Sequence, residues 1–315
     1  MKKSSNNFNK FQSQSLSGLA IKERPVLKIQ FLRMVLSFAL MLNISAVFSS
    51  CNTTDKAVME AYELRIDGKA DLAKEALLNI LEADSTNAEA HFELARTLNY
   101  MNIMGSEESA KALKLALKYD SDNVVFAFYN AKNSFLKAYI AMQQGGNDVK
   151  NLVNETCNEF VKVIEMKPDY AEAFMYLVEI YGMLPEDMGG DKTKAEEFTQ
   201  ELEKLDNFYG AKARLVLMPQ GTDMVEYWKN YIVENGEDCK VLKELGVACI
   251  FSADITTAKE SFEKAIKLDE SQNIRLLDLA RFHMMKVMQN RDAAEEELPK
   301  SKVFIEQYLA STPEP

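Results

Sequence analysis

CKVLKELGVACIFSADITTAKESFEKAIKLDESQ, residues 239–272, reads as two amphipathic helices joined by a sharp turn. Leu242, Leu245, Gly246 and Cys249 share one face of the first helix, and Ala258, Phe262, Ala265 and Leu268 share one face of the second. Gly246 and Ala258 offer only a hydrogen and a methyl where two helices must cross at short interaxial distance. The stretch is 34 residues long and recurs along the chain with variations, so its reading decides the fold.

Working outward, Thr54–Asn87 repeats it, with Ala61 in the place of Gly246, Ala73 in that of Ala258 and Ile80 in that of Ala265. Ala88–Asn123 follows, with Leu94, Ala95 and Leu98 lining one helix and Leu113, Ala116 and Leu117 the other. Both units end on short polar runs, Asp84–Asn87 and Asp120–Asn123, which stop one helix and cap the next. Thr86 and Glu89 have capping-box spacing. Val124–Tyr170 opens on a longer stripe, Val124, Phe128, Ala131, Phe135, Ala138 and Met142, and stops before Pro168. Ala171–Asp206 carries a long turn at Leu184–Asp191. Asn207–Asp238 is degenerate, with a short helix over GAKARLVL, residues 210–217. After Cys239–Gln272, a last unit begins at Asn273, with Arg291–Glu297 as a long acidic turn and Lys300–Leu309 as the closing helix.

A small residue at the eighth and twentieth places, a large apolar one near the twenty-fourth and Ala near the twenty-seventh resemble the tetratricopeptide repeat (TPR). EFVKVIEMKPDYAEAFMYL and ESFEKAIKLDES carry the likeness, which covers about residues 54–313. The tryptophan usual at the fourth place is missing, with His91, Phe174 and Leu242 standing there. The resemblance implies an all-α fold, a right-handed α-solenoid of about seven helix-turn-helix repeats. It also implies that certain places on the first helices face a concave groove. Those places hold Tyr62, Arg65, Phe92, Arg96, Tyr100, Lys132, Met175, Glu179, Lys240, Lys243, Phe251, Arg281, Met284 and Met285. Aromatic and Met side chains supply adaptable contact area, and Arg and Lys pair with carboxylates. The resemblance thus points to a protein or peptide partner held in the groove.

The first fifty residues are of another kind. Residues 1–33 are polar and basic, Met34–Ser50 carries no charge, and Cys51 follows directly. A basic region, an apolar run and a small-residue end describe an export signal. Val47-Phe48-Ser49-Ser50-Cys51 resembles the lipobox of bacterial lipoproteins, with Phe48 where leucine is commoner. In that family the cysteine is lipidated and becomes the mature N-terminus. An uncleaved anchor, short for a span, and an ordinary cleaved signal are the alternatives. The expected organisation is 1–50 as a lipoprotein-type export signal and 51–315 as the TPR-like repeat domain. The protein is then expected in the bacterial cell envelope, lipid-anchored at the outer membrane or its periplasmic face. Pro185 to Gly210 also resembles a segment of exported bacterial repeat lipoproteins, some of which accompany transport systems.

Charge excludes some partners. Residues 51–315 hold 30 of the 37 basic and 47 of the 48 acidic residues, a net of −17. That balance disfavours nucleic acid, whose phosphates need Lys and Arg. Cys157, Cys239 and Cys249 show no CxxC spacing, which disfavours zinc, and read as small buried hydrophobes. His91 and His283 lie in separate units and read as packed histidines. Gly189-Gly190 lacks the following Lys-Ser/Thr of a phosphate loop. Asp187 and Asp191 fall short of the oxygens calcium needs. Met284, Met285 and Met288 read as filler rather than soft copper ligands. The expectation is a non-catalytic binding scaffold with no cofactor. The alternative is a transport-accessory lipoprotein that encloses a small ligand within its helices.

Overall fold

The computed structural model describes residues 53–102, 106–146 and 148–311. The described residues all belong to one unit. The expected export signal at 1–50 and the expected acylation site Cys51 lie outside the described residues.

Fourteen α-helices and no strand occur among the described residues, and they fall into seven consecutive pairs. The first pair is α1 (Thr53–Ile66) and α2 (Ala70–Ala83), and the second is α3 (Ala88–Met101) and α4 (Glu107–Tyr119). The third is α5 (Val124–Gln143) and α6 (Val149–Met166), and the fourth is α7 (Ala171–Met183) and α8 (Lys192–Leu205). Then come α9 (Asn207–Leu217) and α10 (Met224–Asn235), α11 (Cys239–Phe251) and α12 (Ile255–Leu268), and α13 (Arg275–Gln289) and α14 (Ala294–Ser311). Nearly every helix packs on its successor, and α1 touches α3, α7 touches α9 and α11 touches α13. First helices therefore lie side by side, and the unit is an all-α helical-repeat solenoid of TPR-like pairs.

Small residues set the crossings. Ala61, Ala73, Ala95, Ala131, Ala195 and Ala258 are fully buried. A Cβ on Gly246 would stand 2.6 Å from Cδ1 and 2.9 Å from Cζ of Phe262, and closer still to Cε1. In the second and last pairs a serine takes the crossing position on the second helix. Ser109 Oγ donates to the Ala95 carbonyl and Ser301 Oγ to the Ala280 carbonyl, each at 3.1 Å. The hydroxyl is thereby satisfied against the backbone it presses on, so a polar group can be buried without penalty.

The fifth pair departs from this pattern for a visible reason. Arg214 and Glu226 occupy its eighth and twentieth places, so α9 and α10 cannot cross closely and their backbones barely approach. Aromatic side chains span the gap instead. Phe208 stacks on Trp228 at 5.9 Å, and Tyr227 Oη donates to the Ala211 carbonyl at 2.7 Å. Trp228 sits in one core with Val241, Cys249, Phe262 and Leu279, which joins the irregular pair to the two that follow.

Helix ends refine three expectations. Asn87, not Thr86, caps α3, accepting from the Ala90 N–H at 2.8 Å. Thr86 is held instead by Asp84 Oδ1 through both its N–H and its hydroxyl. Helix α9 begins three residues before Gly210, because Asp206 Oδ1 caps it at the Tyr209 N–H, 2.9 Å away. The acidic run Glu295–Glu297 is the first turn of α14 rather than a long turn. Carboxylates suit a helix N-terminus, and Glu297 is buried against His283 Nδ1 at 2.5 Å.

Candidate functional site: a charged and aromatic row on the first helices

Charged and aromatic side chains from the first six of the seven first helices meet in successive contacts, and the last, α13, carries an ion-paired cluster of its own. At the N-terminal end, Glu93 on α3 uses both carboxylate oxygens, one to Arg65 Nε at 2.6 Å and the other to Arg96 Nη1 at 3.3 Å. The Arg96 guanidinium lies over the rings of Tyr62 (5.5 Å), Phe92 (5.6 Å) and Tyr129 (5.6 Å). Lys132 on α5 follows, 5.1 Å from the Tyr129 ring centre and 5.7 Å from that of Phe128. Burial drives its pKa down to about 8, and the nearby Arg96 charge adds to the effect.

On α7, Tyr176 stacks on Phe160 at 4.5 Å and packs against Phe128 and Phe135. Glu179, one turn further on, is buried; burial pushes its pKa up to about 7, and Lys212 pulls against that. Lys212 on α9 bonds Glu244 on α11 at 2.9 Å, and Lys243 reaches the same oxygen at 3.4 Å. Burial opposes the Glu244 charge, but the two lysines outweigh it and hold its pKa at about 2. Burial likewise opposes the Lys212 charge, and Glu244 and Glu179 together keep its pKa above the ordinary lysine value. Lys240 lies over Tyr209 at 5.3 Å, and Tyr209 Oη donates to Glu172 at 3.1 Å. The row ends on α13, where Asp278 binds Arg275 and Arg281, each at 2.8 Å.

The sequence-chosen residues divide under this geometry. Tyr62, Arg65, Arg96, Lys132, Glu179, Lys240 and Lys243 belong to the row. Tyr100, Phe251, Met284 and Met285 are exposed, with Phe251 at 43%. Arg281 keeps 67% of its side chain in solvent while it pairs with Asp278. Two residues expected on the groove surface are instead packed inside. Met175 is 0% exposed, in a core with Leu202 and Ala213, and Phe92 is buried against Phe126 at 4.6 Å. Both face the neighbouring helix because groove and interface places are adjacent on a helix surface.

Sequence reasoning missed Glu93, Tyr129, Tyr176, Lys212, Glu244, Arg275 and Asp278. A signal existed for two of them: Glu93 and Glu244 both stand sixth in their units, each near cations that they bridge. The other candidate groups are structural. His91 Nε2 is 3.0 Å from the Ser85 carbonyl and its ring stacks on Tyr119. Asp191 caps α8 at the N–H groups of Thr193 and Lys194, both at 3.1 Å. Gly189 has a φ of 101°, and a Cβ on Gly190 would strike the Leu184 carbonyl, so the pair is there to turn the chain.

No family model and no curated protein matches the chain. Among solved structures, a tetratricopeptide repeat protein from Parabacteroides merdae is similar at 12% identity and a TM-score of 0.46, covering 82% of this chain and 98% of that one. A thermophilic TPR protein of Thermus thermophilus is similar at 12% identity and a TM-score of 0.45, covering 74% and 100%. PilF of Pseudomonas aeruginosa is similar at 17% identity and a TM-score of 0.42, covering 69% and 92%. The architecture rests on this chain's own repeat spacing and helix contacts.

Proposed function

We propose that the protein is a non-catalytic scaffold that holds a protein or peptide segment along the first-helix row, in a concave groove. Lipid at Cys51 tethers it in the bacterial cell envelope. One observation carries the binding reading: cations and rings gather on one row of a chain whose residues 51–315 are strongly acidic. A surface that only needed to stay solvated would not collect its cations over half-buried aromatic rings.

Two measurements test the proposal. Labelled fatty acid should incorporate into the wild-type chain and not into Cys51→Ala; label retained by the variant would end the lipid-anchor reading. Chemical cross-linking of the chain in its own membrane should capture a polypeptide, and Lys132→Glu should lose it while Lys111→Glu on α4 keeps it. Co-purification of a small molecule alone would favour the transport-accessory reading instead.

A further inference from the structure

The first and last described helices finish the array differently. Along the second helices, the side chain four places past the crossing is sealed by the first helix that follows. Leu77 after Ala73, Leu113 after Ser109 and Phe262 after Ala258 are at most 1% exposed. In the last described pair the same place after Ser301 holds Ile305, which is 40% exposed. Leu298, three places before that crossing, is 43% exposed, and Leu309, eight places past it, is 65% exposed. Their counterparts on α12, Ile255 and Ile266, pack against the core that α12 shares with α13. Positions 298, 305 and 309 fall within about 40° of one another around a helix, so the three make one apolar stripe along α14.

The opposite end is closed by charge. In the place before the crossing, α3, α11 and α13 bury Leu94, Leu245 and Leu279. There α1 carries Glu60, with 63% of its side chain in solvent, beside Lys56. A polar outer face keeps a terminal repeat soluble. Helix α1 has a carboxylate at that place, and α14 presents leucine and isoleucine.

The stripe calls for an apolar helix face against it. Helix α1 of a second copy does not supply one, because Glu60 would be pressed onto the leucines and a buried carboxylate without a partner is costly. A second α14 does. Laid antiparallel about a two-fold axis near residue 304, two such helices set Leu298 of one beside Leu309 of the other, with both Ile305 side chains near the axis. Lys302 and Glu306 flank the stripe on one side, 3.5 Å apart and 74% and 61% exposed. The same axis brings Lys302 of each copy beside Glu306 of the other, so the rim charges attract where two like charges would repel.

We propose that α14 is a self-association face, through which two copies of the chain join tail to tail on Leu298, Ile305 and Leu309, with Lys302 and Glu306 paired across the axis. The contact is isologous and closes on itself. One helix from each copy makes a small interface, so the pair forms and separates with concentration. None of these residues belongs to the first-helix row, so loss of the contact should leave the row's partner bound.

Sedimentation velocity of the full chain in density-matched detergent tests this, from about 1 to about 100 μM. The wild type should pass from one copy to two across that range. Ile305→Glu should raise the dissociation constant roughly tenfold or more, at an unchanged unfolding midpoint, because Ile305 already reaches solvent in the single chain. Lys302→Glu and Glu306→Lys should each weaken the pair when alone. An equimolar mixture of these two variants should restore it, since each copy then meets the opposite charge at both rim contacts. Association that Ile305→Glu leaves unchanged would overturn the proposal, and so would a wild type that stays single at the highest concentration. Failure of the mixture to recover would overturn the two-fold axis. A single-copy wild type that cross-links from Ile305 to a different polypeptide in its own cells would overturn the second copy as occupant.

Discussion

Gly246→Val is expected to destabilise the fold by about 3 kcal/mol, the upper end of what overpacking a filled core costs. The first atom added, Cβ, already falls inside contact distance of the Phe262 ring. Phe262 is fully buried among Trp228, Val241, Leu279 and Phe304, so the ring has no open space to move into. The clash must instead separate α11 from α12, the most regular crossing in the chain. Gly246→Ala gives the sharper reading. Alanine in a helix interior gains about 1 kcal/mol over glycine, so by propensity alone the variant should be more stable. The crossing predicts the opposite sign. Urea unfolding followed by far-ultraviolet circular dichroism would show it, as a midpoint lowered for Ala and lowered further for Val. A raised midpoint for Ala would mean that close approach of the two helices is not what fixes glycine here.

Glu244→Ala should cost about 3 kcal/mol near neutral pH, the lower end of what removing one partner of a buried ion pair costs. The lower end applies because Lys212 and Lys243 keep 19% and 26% of their side chains in contact with solvent. The pH dependence identifies the cause. The Glu244 pKa is depressed in the folded chain to about 2. Its contribution is therefore fully present above the unfolded carboxylate range near 4.5 and is lost as pH falls from there toward 2. The variant should lack that acid slope. Glu179 acts in the opposite sense. Its folded pKa is raised to about 7, so the folded chain holds its proton longer, and stability falls as pH rises from about 4.5 to 7. Removing Glu244 takes a repelling charge away from Glu179 and lets Lys212 act on it alone, so this second slope should flatten as well. Unfolding midpoints from pH 3 to 8 for the two chains would show both changes, and parallel curves would contradict the network.

Much of this fold was legible in residues 239–272. An eighth-place Gly, a twentieth-place Ala and the Phe between the helices state the crossing, and Ala61, Ala73, Ala95 and Ala131 repeat it. The spacing could not show how the fifth pair holds together. Arg214 and Glu226 break the small-residue rule, and the rings of Phe208, Tyr227 and Trp228 replace it through contacts that local periodicity does not encode. The start of α14 was hidden because Glu295–Glu297 reads as solvent-loving, whereas Glu297 is held inside by His283 from the preceding helix. The site was half legible. The repeat resemblance, through the groove places it implies, found the cations Arg65, Arg96, Lys132, Lys240 and Lys243. It could not separate Met175, turned into the core, from Tyr176 beside it on the row, because one residue step is about 100° on a helix. It also passed over Glu93 and Glu244, because a glutamate on a helix reads as exposed until its partners, 28 and 32 residues away, are brought to it.

The central claim is that the first-helix row is the face that meets a partner. A photo-reactive side chain placed singly along the chain in its own cells tests it most directly, at Tyr129 and Lys240 on the row and at Leu78, Lys111 and Lys267 on the second helices. The row positions should cross-link one and the same polypeptide, and the second-helix positions should not. Capture of that polypeptide from Leu78, Lys111 or Lys267, with Tyr129 and Lys240 silent, would contradict the account.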